Sequence, residues 1–236
     1  MQQASDLRGG HPMLDFSSVL AAWPDFLGGL AMTAVLTLLS CTLGTLLGIA
    51  CAWCRVYGSR VVRLAVASYV GFFRNTPFIV QIFFIYFGLP AIGLRMASLP
   101  AAIVALTINL GAYACEIVRA GIEATPRGKL EAAQCLGLGR WHTFTRVVLP
   151  PALSRVWPAL TSQLLIIMLA TAVCSLVSTA ELSYVTNRIA AQTFRQFESH
   201  IVVTLLYLSL TIAFRRLLQW LGPRFVFGCA PIGGAR

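Results

Sequence analysis

Charged residues are scarce in this chain: Asp, Glu, Lys and Arg make up 11% of its 236 residues, whereas 58% are hydrophobic. Soluble domains contain about 25% charged residues, so this composition excludes an ordinary soluble domain. Only three histidines occur, widely separated in the sequence, so no metal site is predicted. The phosphate-binding pattern Gly-x4-Gly-Lys-Ser/Thr is also absent, so any energy from ATP must come from a partner.

Long apolar runs are what the chain does contain, and they predict five membrane-spanning helices. The runs cover 26–53, 61–89, 99–121, 156–178 and 199–220. Each is long enough to cross a hydrocarbon core of about 30 Å. The predicted fold class is therefore an all-α polytopic membrane protein. We expect an N-terminal segment over 1–25, one transmembrane domain over 26–221 and a C-terminal tail over 222–236.

The second apolar run is interrupted by Arg74-Asn75-Thr76-Pro77. Proline lacks a backbone N–H, so this helix is expected to break or kink near Pro77. Backbone groups freed at membrane depth need partners from protein or water, so the break should face a cavity. In the neighbouring runs, Gly44-x3-Gly48 predicts close helix packing, and Glu116 with Arg119 predicts an ion pair at i, i+3.

Basic residues are unevenly distributed between the two sides of the predicted membrane domain. One side, which includes the polar stretch 125–151, carries 13 of the 18 Lys and Arg residues, and the other carries 4. Cytoplasmic loops are enriched in Lys and Arg, so 125–151 is predicted to be cytoplasmic, with the N-terminus outside and the C-terminus inside. The net charge of +10 is explained by this bias, and no nucleic-acid partner is predicted.

The polar stretch itself predicts two short helices joined at a glycine. Thr125 is expected to cap the first helix with Pro126 at its first position, and Gly137 to end it. The second helix should run over 140–148 and stop at Pro150-Pro151. Trp141, Phe144 and Leu149 are the expected apolar anchors for a partner. The alternative is a plain cytoplasmic connection between two spans.

The same stretch resembles the EAA motif of the membrane subunits of bacterial ABC importers. The matching residues are Glu131-Ala132-Ala133, Gly137, Val147 and Leu149-Pro150, with Val147 in place of the usual Ile. The resemblance implies a loop that docks into a cleft of a cytoplasmic ATPase. It implies a polar contact from Glu131, close approach at Ala132, Ala133 and Gly137, and pairing of Arg140 and Arg146 with acidic ATPase residues.

Three further segments resemble the polar amino acid permease family: Phe73-Arg74-Asn75-Thr76-Pro77 with Gln81, residues 112–122, and Thr193-Phe194-Arg195 with Phe197-Glu198. The resemblance implies the five-helix core of type I importers and an amino acid, polar or charged, as solute. It implies a non-catalytic subunit in the bacterial inner membrane, surrounded by lipid. The implied partners are a second permease subunit, cytoplasmic ATPases that bind ATP and Mg²⁺, and a periplasmic solute-binding protein.

Polar residues within the spans are candidates for a translocation path: Asn75, Thr76, Gln81, Asn109, Tyr113 and Thr171. Each is equally compatible with an interhelical hydrogen bond. The fourth span departs from the family, which carries Lys-Asp/Asn-Thr-Ser-Leu where this chain has Leu169-Ala170-Thr171-Ala172-Val173. This departure leads to the hypothesis that the subunit contacts solute less, or handles another solute.

Other functions remain open at this point. A permease for methionine or an opine is the nearest alternative to an amino acid permease of the polar class. A channel or an ATP-independent secondary transporter would not need the EAA-like loop. A purely structural membrane scaffold would keep the spacing of the loop without depending on Gly137.

Overall fold

A computed structural model describes residues 16–222 and Arg224, and within these the chain is built from helices and the turns between them. The helices are α1 (Ser17–Ala21), α2 (Trp23–Tyr57), α3 (Arg60–Arg74), α4 (Phe78–Phe83), α5 (Ser98–Glu123), α6 (Arg127–Cys135), α7 (Arg140–His142), α8 (Leu149–Ala170), α9 (Leu182–Thr193) and α10 (Gln196–Leu221). After α4 the chain is π-helical over Phe84–Gly88 and 3₁₀-helical over Leu89–Ile92. A π-helical segment, Thr143–Val148, joins α7 to α8, and a 3₁₀ segment, Thr171–Val177, follows α8.

Four helical segments of the described chain are long and apolar enough to cross a membrane: Trp23–Tyr57, Ser98–Glu123, Arg140–Val177 and Gln196–Leu221. A fifth span is possible if the pair Arg60–Arg74 and Phe78–Ile92 counts as one, with a bend of 109° between its halves. This arrangement agrees with the predicted polytopic all-α fold and with the predicted break near Pro77.

The centre of the bundle is the contact between α2 and α5, which run in the same direction. A Cβ placed on Gly48 would lie 2.4 Å from the Cβ of Ala114, and one on Gly44 would lie 2.8 Å from Leu110. Only hydrogen at these two positions permits so close an approach. The predicted packing role of the Gly44-x3-Gly48 pair is therefore confirmed.

The α2–α5 pair defines the two ends of the bundle. One end carries the EAA-like stretch 125–151 and is called the motif end. It contains the C-termini of α2 and α5, the segment α6–α7 and the start of α8. At the opposite end lie the starts of α2 and α5, together with α9 and the start of α10. There Asp25 of α2 pairs with Arg188 of α9 at 3.0 Å, and the backbone N–H of Leu182 donates to the hydroxyl of Thr33.

The two prolines at 150–151 do not end a helix, contrary to the sequence prediction. The helical path continues from Arg140 to Val177. The segment just before the prolines is π-helical, and Pro150 and Pro151 occupy the first turn of α8. At those positions an N–H is not required for the α-helical ladder, so proline is tolerated.

The helix start at 125–126 also differs from the prediction. Helix α6 begins at Arg127, and Pro126 occupies its N-cap position without a side-chain hydrogen bond. The hydroxyl of Thr125 instead donates to the carbonyl oxygen of Gly121, at 3.3 Å. Local back-bonding of this kind competes with capping for threonine. Thr125 therefore completes α5 and does not start α6.

The predicted terminal segments lie largely outside the described residues. Of the N-terminal segment 1–25, residues 16–25 are described and are mostly helical, with Val19 fully buried. Of the C-terminal tail 222–236, only Gly222 and Arg224 are described.

Candidate functional site

Helix α6 and the turn after it form a defined helix–Gly–helix unit at the motif end. Gly137 has φ +67°, and its N–H donates to Gln134 while that of Leu138 donates to Ala133. These two bonds form a Schellman motif, in which the left-handed residue is normally glycine. The turn predicted at Gly137 is therefore present. It directs the chain into α7 at Arg140.

One face of this unit is open to solvent. Five of the six residues expected to contact an ATPase are exposed: Glu131, Ala132, Gly137, Arg140 and Arg146. The sixth, Ala133, is only 2% exposed. It lies on the inner face of α6, which packs against the π-helical segment, so it cannot be a direct docking contact here.

The apolar anchors differ from those expected. Trp141 is 60% exposed, but Phe144 is buried at 1% and Leu149 is half-buried. Sequence reasoning missed two exposed aliphatic side chains, Leu136 at 77% and Leu138 at 39%, and Leu136 is the more exposed. Its position directly before Gly137 was the available signal, because the residue before a left-handed turn lies at the tip of the unit. Leu136, Leu138 and Trp141 form the large apolar surface that the unit offers to a partner.

An aromatic cluster joins this unit to the end of α2. The ring centroid of Trp53 lies 4.6 Å from Phe144, 5.4 Å from Trp141 and 4.4 Å from Tyr57. Such ring pairs contribute about 0.5–1.5 kcal/mol each beyond the burial of their area. The helix–Gly–helix unit, called the motif unit below, therefore packs against the end of α2 as well as against α8.

The break between α3 and α4 is closed by polar side chains. The Nε2 of Gln81 donates to the carbonyl oxygens of Phe73 and Thr76, both at 2.8 Å. Its Oε1 accepts from Nδ2 of Asn109 on α5 at 2.9 Å. Gln81 is 3% exposed. Gln81 thus provides hydrogen-bond partners for backbone carbonyl groups that the break leaves free. Irregular backbone at membrane depth needs such partners, because lipid supplies none.

A cavity opens beside this break, between α3, α4, α5 and α8. It has a volume of about 430 Å³ and is lined by Asn75, Thr76, Asn109, Tyr113 and Gln163, among others. A second concavity of about 630 Å³ adjoins it toward the motif end and shares Arg74, Asn75 and Tyr113 with it. Together the two concavities form one continuous polar path along the side of the helix bundle.

Charged residues concentrate at the motif end of this path. Glu116 pairs with Arg119 at 2.7 Å and with Arg55 of α2 at 3.4 Å, and Arg119 also pairs with Glu123. The predicted i, i+3 pair is confirmed and is part of a network that bridges α2 and α5. The guanidinium of Arg74 lies over the ring of Tyr113, 5.5 Å from its centroid. This cation–π contact places a positive charge at the junction of the two concavities.

The candidate path residues fall into two groups. Asn75, Thr76, Asn109 and Tyr113 line the cavity. Gln81 closes the helix break, and Thr171 is fully buried, where its hydroxyl donates to Met168. Gln163, which sequence reasoning did not single out, lines the cavity from α8. A lone glutamine within an apolar run was the signal for it. Among the described residues, no group of three or more His, Cys, Asp or Glu could hold a metal ion.

Comparison with known proteins connects this geometry to a family. The family described as binding-protein-dependent transport system inner membrane component matches residues 44–227. The glutamine transport system permease protein GlnP of Escherichia coli (strain K12) is 34% identical over 212 residues, covering 89% of this chain and 97% of GlnP. The arginine transport system permease protein ArtQ of Bacillus subtilis (strain 168) is 32% identical over 200 residues, covering 84% of this chain and 91% of ArtQ.

A solved structure shows the same architecture. The crystal structure of an amino acid ABC transporter with histidines matches with a TM-score of 0.80 and 34% sequence identity, covering 90% of this chain and 99% of that chain. This chain belongs to the family of inner membrane components of binding-protein-dependent transport systems.

Proposed function

We propose that this chain is the permease subunit of an ABC importer for an amino acid. The observation that carries the proposal is the helix–Gly–helix unit, which exposes Glu131, Leu136 and Trp141 at one end of a membrane bundle. An exposed apolar surface flanked by charge is typical of a docking site for another protein. The similarity to permeases for glutamine and arginine supports an amino acid as solute.

The importer requires partners that supply what this chain lacks. A cytoplasmic ATPase binds ATP and Mg²⁺ and receives the motif unit, so the motif end faces the cytoplasm and the N-terminus lies outside. A second permease subunit, identical or paralogous, covers the open side of the cavity. A periplasmic solute-binding protein delivers the amino acid at the opposite end. The subunit itself catalyses no covalent step.

The aromatic cluster gives this arrangement a mechanical connection. Closure of the ATPase dimer on ATP displaces the motif unit, and Trp53 transfers the displacement to α2 through its contacts with Trp141 and Phe144. Helix α2 is tightly packed on α5, so the two helices move together. ATP shifts the transporter between inward-facing and outward-facing states only by binding one of them more tightly.

Solute recognition is assigned to the cavity beside the helix break. Arg74 supplies a positive charge for the carboxylate that every amino acid carries, and Asn75, Asn109 and Gln163 supply hydrogen-bonding groups. Ala170 also lines the cavity, and Leu169 beside it is 50% exposed. At position 170, which lines the cavity, the family's charged or amide side chain is thus replaced by a methyl group. We assign this subunit fewer solute contacts than its relatives make.

The decisive experiment compares ATPase binding and solute-stimulated ATP hydrolysis for the wild type and for a Glu131→Lys, Gly137→Asp double variant in nanodiscs. Loss of both in the double variant is expected. Lys129→Glu is the matched control, because Lys129 lies about 200° round α6 from Glu131. Normal coupling in the double variant would move the function to another loop. An amino acid that stimulates hydrolysis by the wild type would identify the solute.

The role of the fourth span has its own test. Leu169→Lys with Ala170→Asp introduces the family's charges at the cavity-lining position 170 and at its exposed neighbour 169, and we expect the ranking of amino acids that stimulate hydrolysis to change. An unchanged ranking would show that these positions do not contact solute. In that case the proposal of an amino acid importer would stand, since the importer assignment rests on the helix–Gly–helix unit and the amino acid on the similarity to known permeases.

A further inference from the structure

Another concave surface lies on the bundle, separate from the cavity and from the concavity that adjoins it. It is a groove of about 180 Å³ between α2, α8 and α10, and its walls are almost entirely apolar. Ala34 and Leu38 contribute from α2, Met168 from α8, and Leu210, Ala213 and Leu217 from α10. Small side chains at Ala34 and Ala213 create the depression, and half-exposed leucines form its rim.

This groove faces away from the solute path. On α8, Met168 lines the groove whereas Ala170 lines the cavity. The two residues are two positions apart, which is about 200° round a helix. The groove and the cavity are therefore on opposite sides of α8. A partner subunit that completes the cavity would leave the groove open to the surrounding bilayer.

A cationic group lies at the motif end of the groove. Trp220 follows Leu217 by three residues and Ala213 by seven, so it continues the same face of α10. The guanidinium of Arg224 lies over its indole, 4.8 Å from the ring centroid. Tryptophan is enriched at membrane interfaces, where its ring lies at the level of lipid headgroups. Arg224 is exposed at that level.

We propose that the groove is a binding site for an anionic phospholipid, with one acyl chain along Leu210 to Leu217 and the phosphate on Arg224. The dimensions agree: from Leu210 to Trp220 at the membrane interface is about 15 Å of helix, and half a hydrocarbon core is about 15 Å. The guanidinium fork matches phosphate geometry. The apolar groove and its terminal positive charge are thus complementary to the two parts of one lipid molecule.

The test is lipid binding to the purified full chain in detergent, followed by native mass spectrometry with phosphatidylglycerol or phosphatidylcholine as the probe. We expect one tightly retained phosphatidylglycerol per chain. Arg224→Gln should reduce its retention about fivefold, since one cationic side chain near the surface contributes about 1 kcal/mol to the binding of anionic lipid. Ala213→Phe should displace either lipid, because the new ring fills the groove.

Arg215→Gln is the matched control, because it removes the same charge from α10 at a position about 200° round the helix from Leu217. Retention equal to the wild type is expected for this variant. Positions 213, 215 and 224 are all exposed, and circular dichroism checks that each variant is folded. Equal losses for the substitutions at 215 and 224 would overturn the proposal. So would dissociation of a permease dimer by Ala213→Phe with phosphatidylglycerol still retained, because the groove would then be a protein interface.

Discussion

The indole of Trp53 and the phenyl ring of Phe144 lie 4.6 Å apart, centroid to centroid, at an angle of 60°. Trp53 is on the last turns of α2, and Phe144 is in the π-helical segment that joins the motif unit to α8. The two residues are 91 positions apart in sequence, so only the fold brings them together. Their contact joins the surface assigned to ATPase docking to the helix that packs on the wall of the path.

Trp53→Ala is expected to uncouple the two functions of the subunit. The variant loses three ring contacts, with a destabilisation of about 2–4 kcal/mol, while the exposed docking residues remain. ATPase binding should persist, and solute-stimulated hydrolysis should fall at least about fivefold. Trp53→Phe should recover most of the stimulation. Trp23→Ala, at the opposite end of the bundle, is the control, and an equal loss of stimulation there would contradict the assignment.

Gly137→Ala should weaken ATPase binding, whereas Gly139→Ala should not. Gly137 has φ +67° and Gly139 has φ −63°, and a left-handed backbone costs about 1–2 kcal/mol for a residue with a Cβ. A Cβ at either position meets no neighbour within 4 Å, so the difference isolates the backbone conformation. Titration of the ATPase against permease in nanodiscs should show a loss of about tenfold for Gly137→Ala alone. Equal affinities for the two variants would exclude a role for the turn.

Gly48→Ala should destabilise the bundle, whereas Gly28→Ala should be neutral or stabilising. The new Cβ at position 48 would lie 2.4 Å from Ala114, but at position 28 it meets nothing within 4 Å. Overpacking of this kind costs about 1–3 kcal/mol, while alanine is favoured over glycine in a helix by roughly 0.5–1 kcal/mol. Thermal unfolding in detergent compares the two. Equal melting temperatures would mean that α2 and α5 are less closely packed than described.

Glu181 provides a prediction about pH. Its carboxylate is fully buried at the start of α9 and accepts hydrogen bonds from Ser183, Tyr184 and Tyr207. Burial nevertheless raises the pKa of this carboxyl above its ordinary value. The folded state therefore holds the proton more tightly than the unfolded chain does. Stability is greatest below the unfolded pKa of about 4.3 and is lost as the pH rises through the higher folded pKa.

Glu181→Gln removes this titration. The variant loses one hydrogen-bond acceptor at every pH, which lowers its stability by a constant amount. Its stability should not decline further as the pH rises through the folded pKa of Glu181. The melting temperature of the wild type minus that of the variant should therefore decrease between about pH 4 and pH 8. A difference that increases over this range would show that the hydrogen bonds outweigh burial and that the pKa is lowered.

The class of the protein follows from its amino-acid sequence alone. Apolar runs long enough to cross the bilayer are predicted to form helices, because backbone N–H and C=O groups in lipid must be hydrogen-bonded within the chain. Gly137, at the end of the predicted first helix of the polar stretch, predicted a helix–Gly–helix unit, since such a turn requires a residue that adopts positive φ. The pair Glu116–Arg119 was also predictable, because residues three positions apart lie on the same face of a helix.

Which polar and apolar side chains face outward could not be predicted from the sequence, because it depends on how the helices pack. Gln81 and Thr171 are candidates for the path by residue type, but Gln81 closes the helix break and Thr171 bonds its own helix. Phe144 resembles a docking anchor in the sequence and is buried against Trp53, which lies 91 positions away. In a chain this apolar, hydrophobicity does not distinguish core from surface. The partner of each side chain is set by helix packing, which depends on contacts distant in sequence.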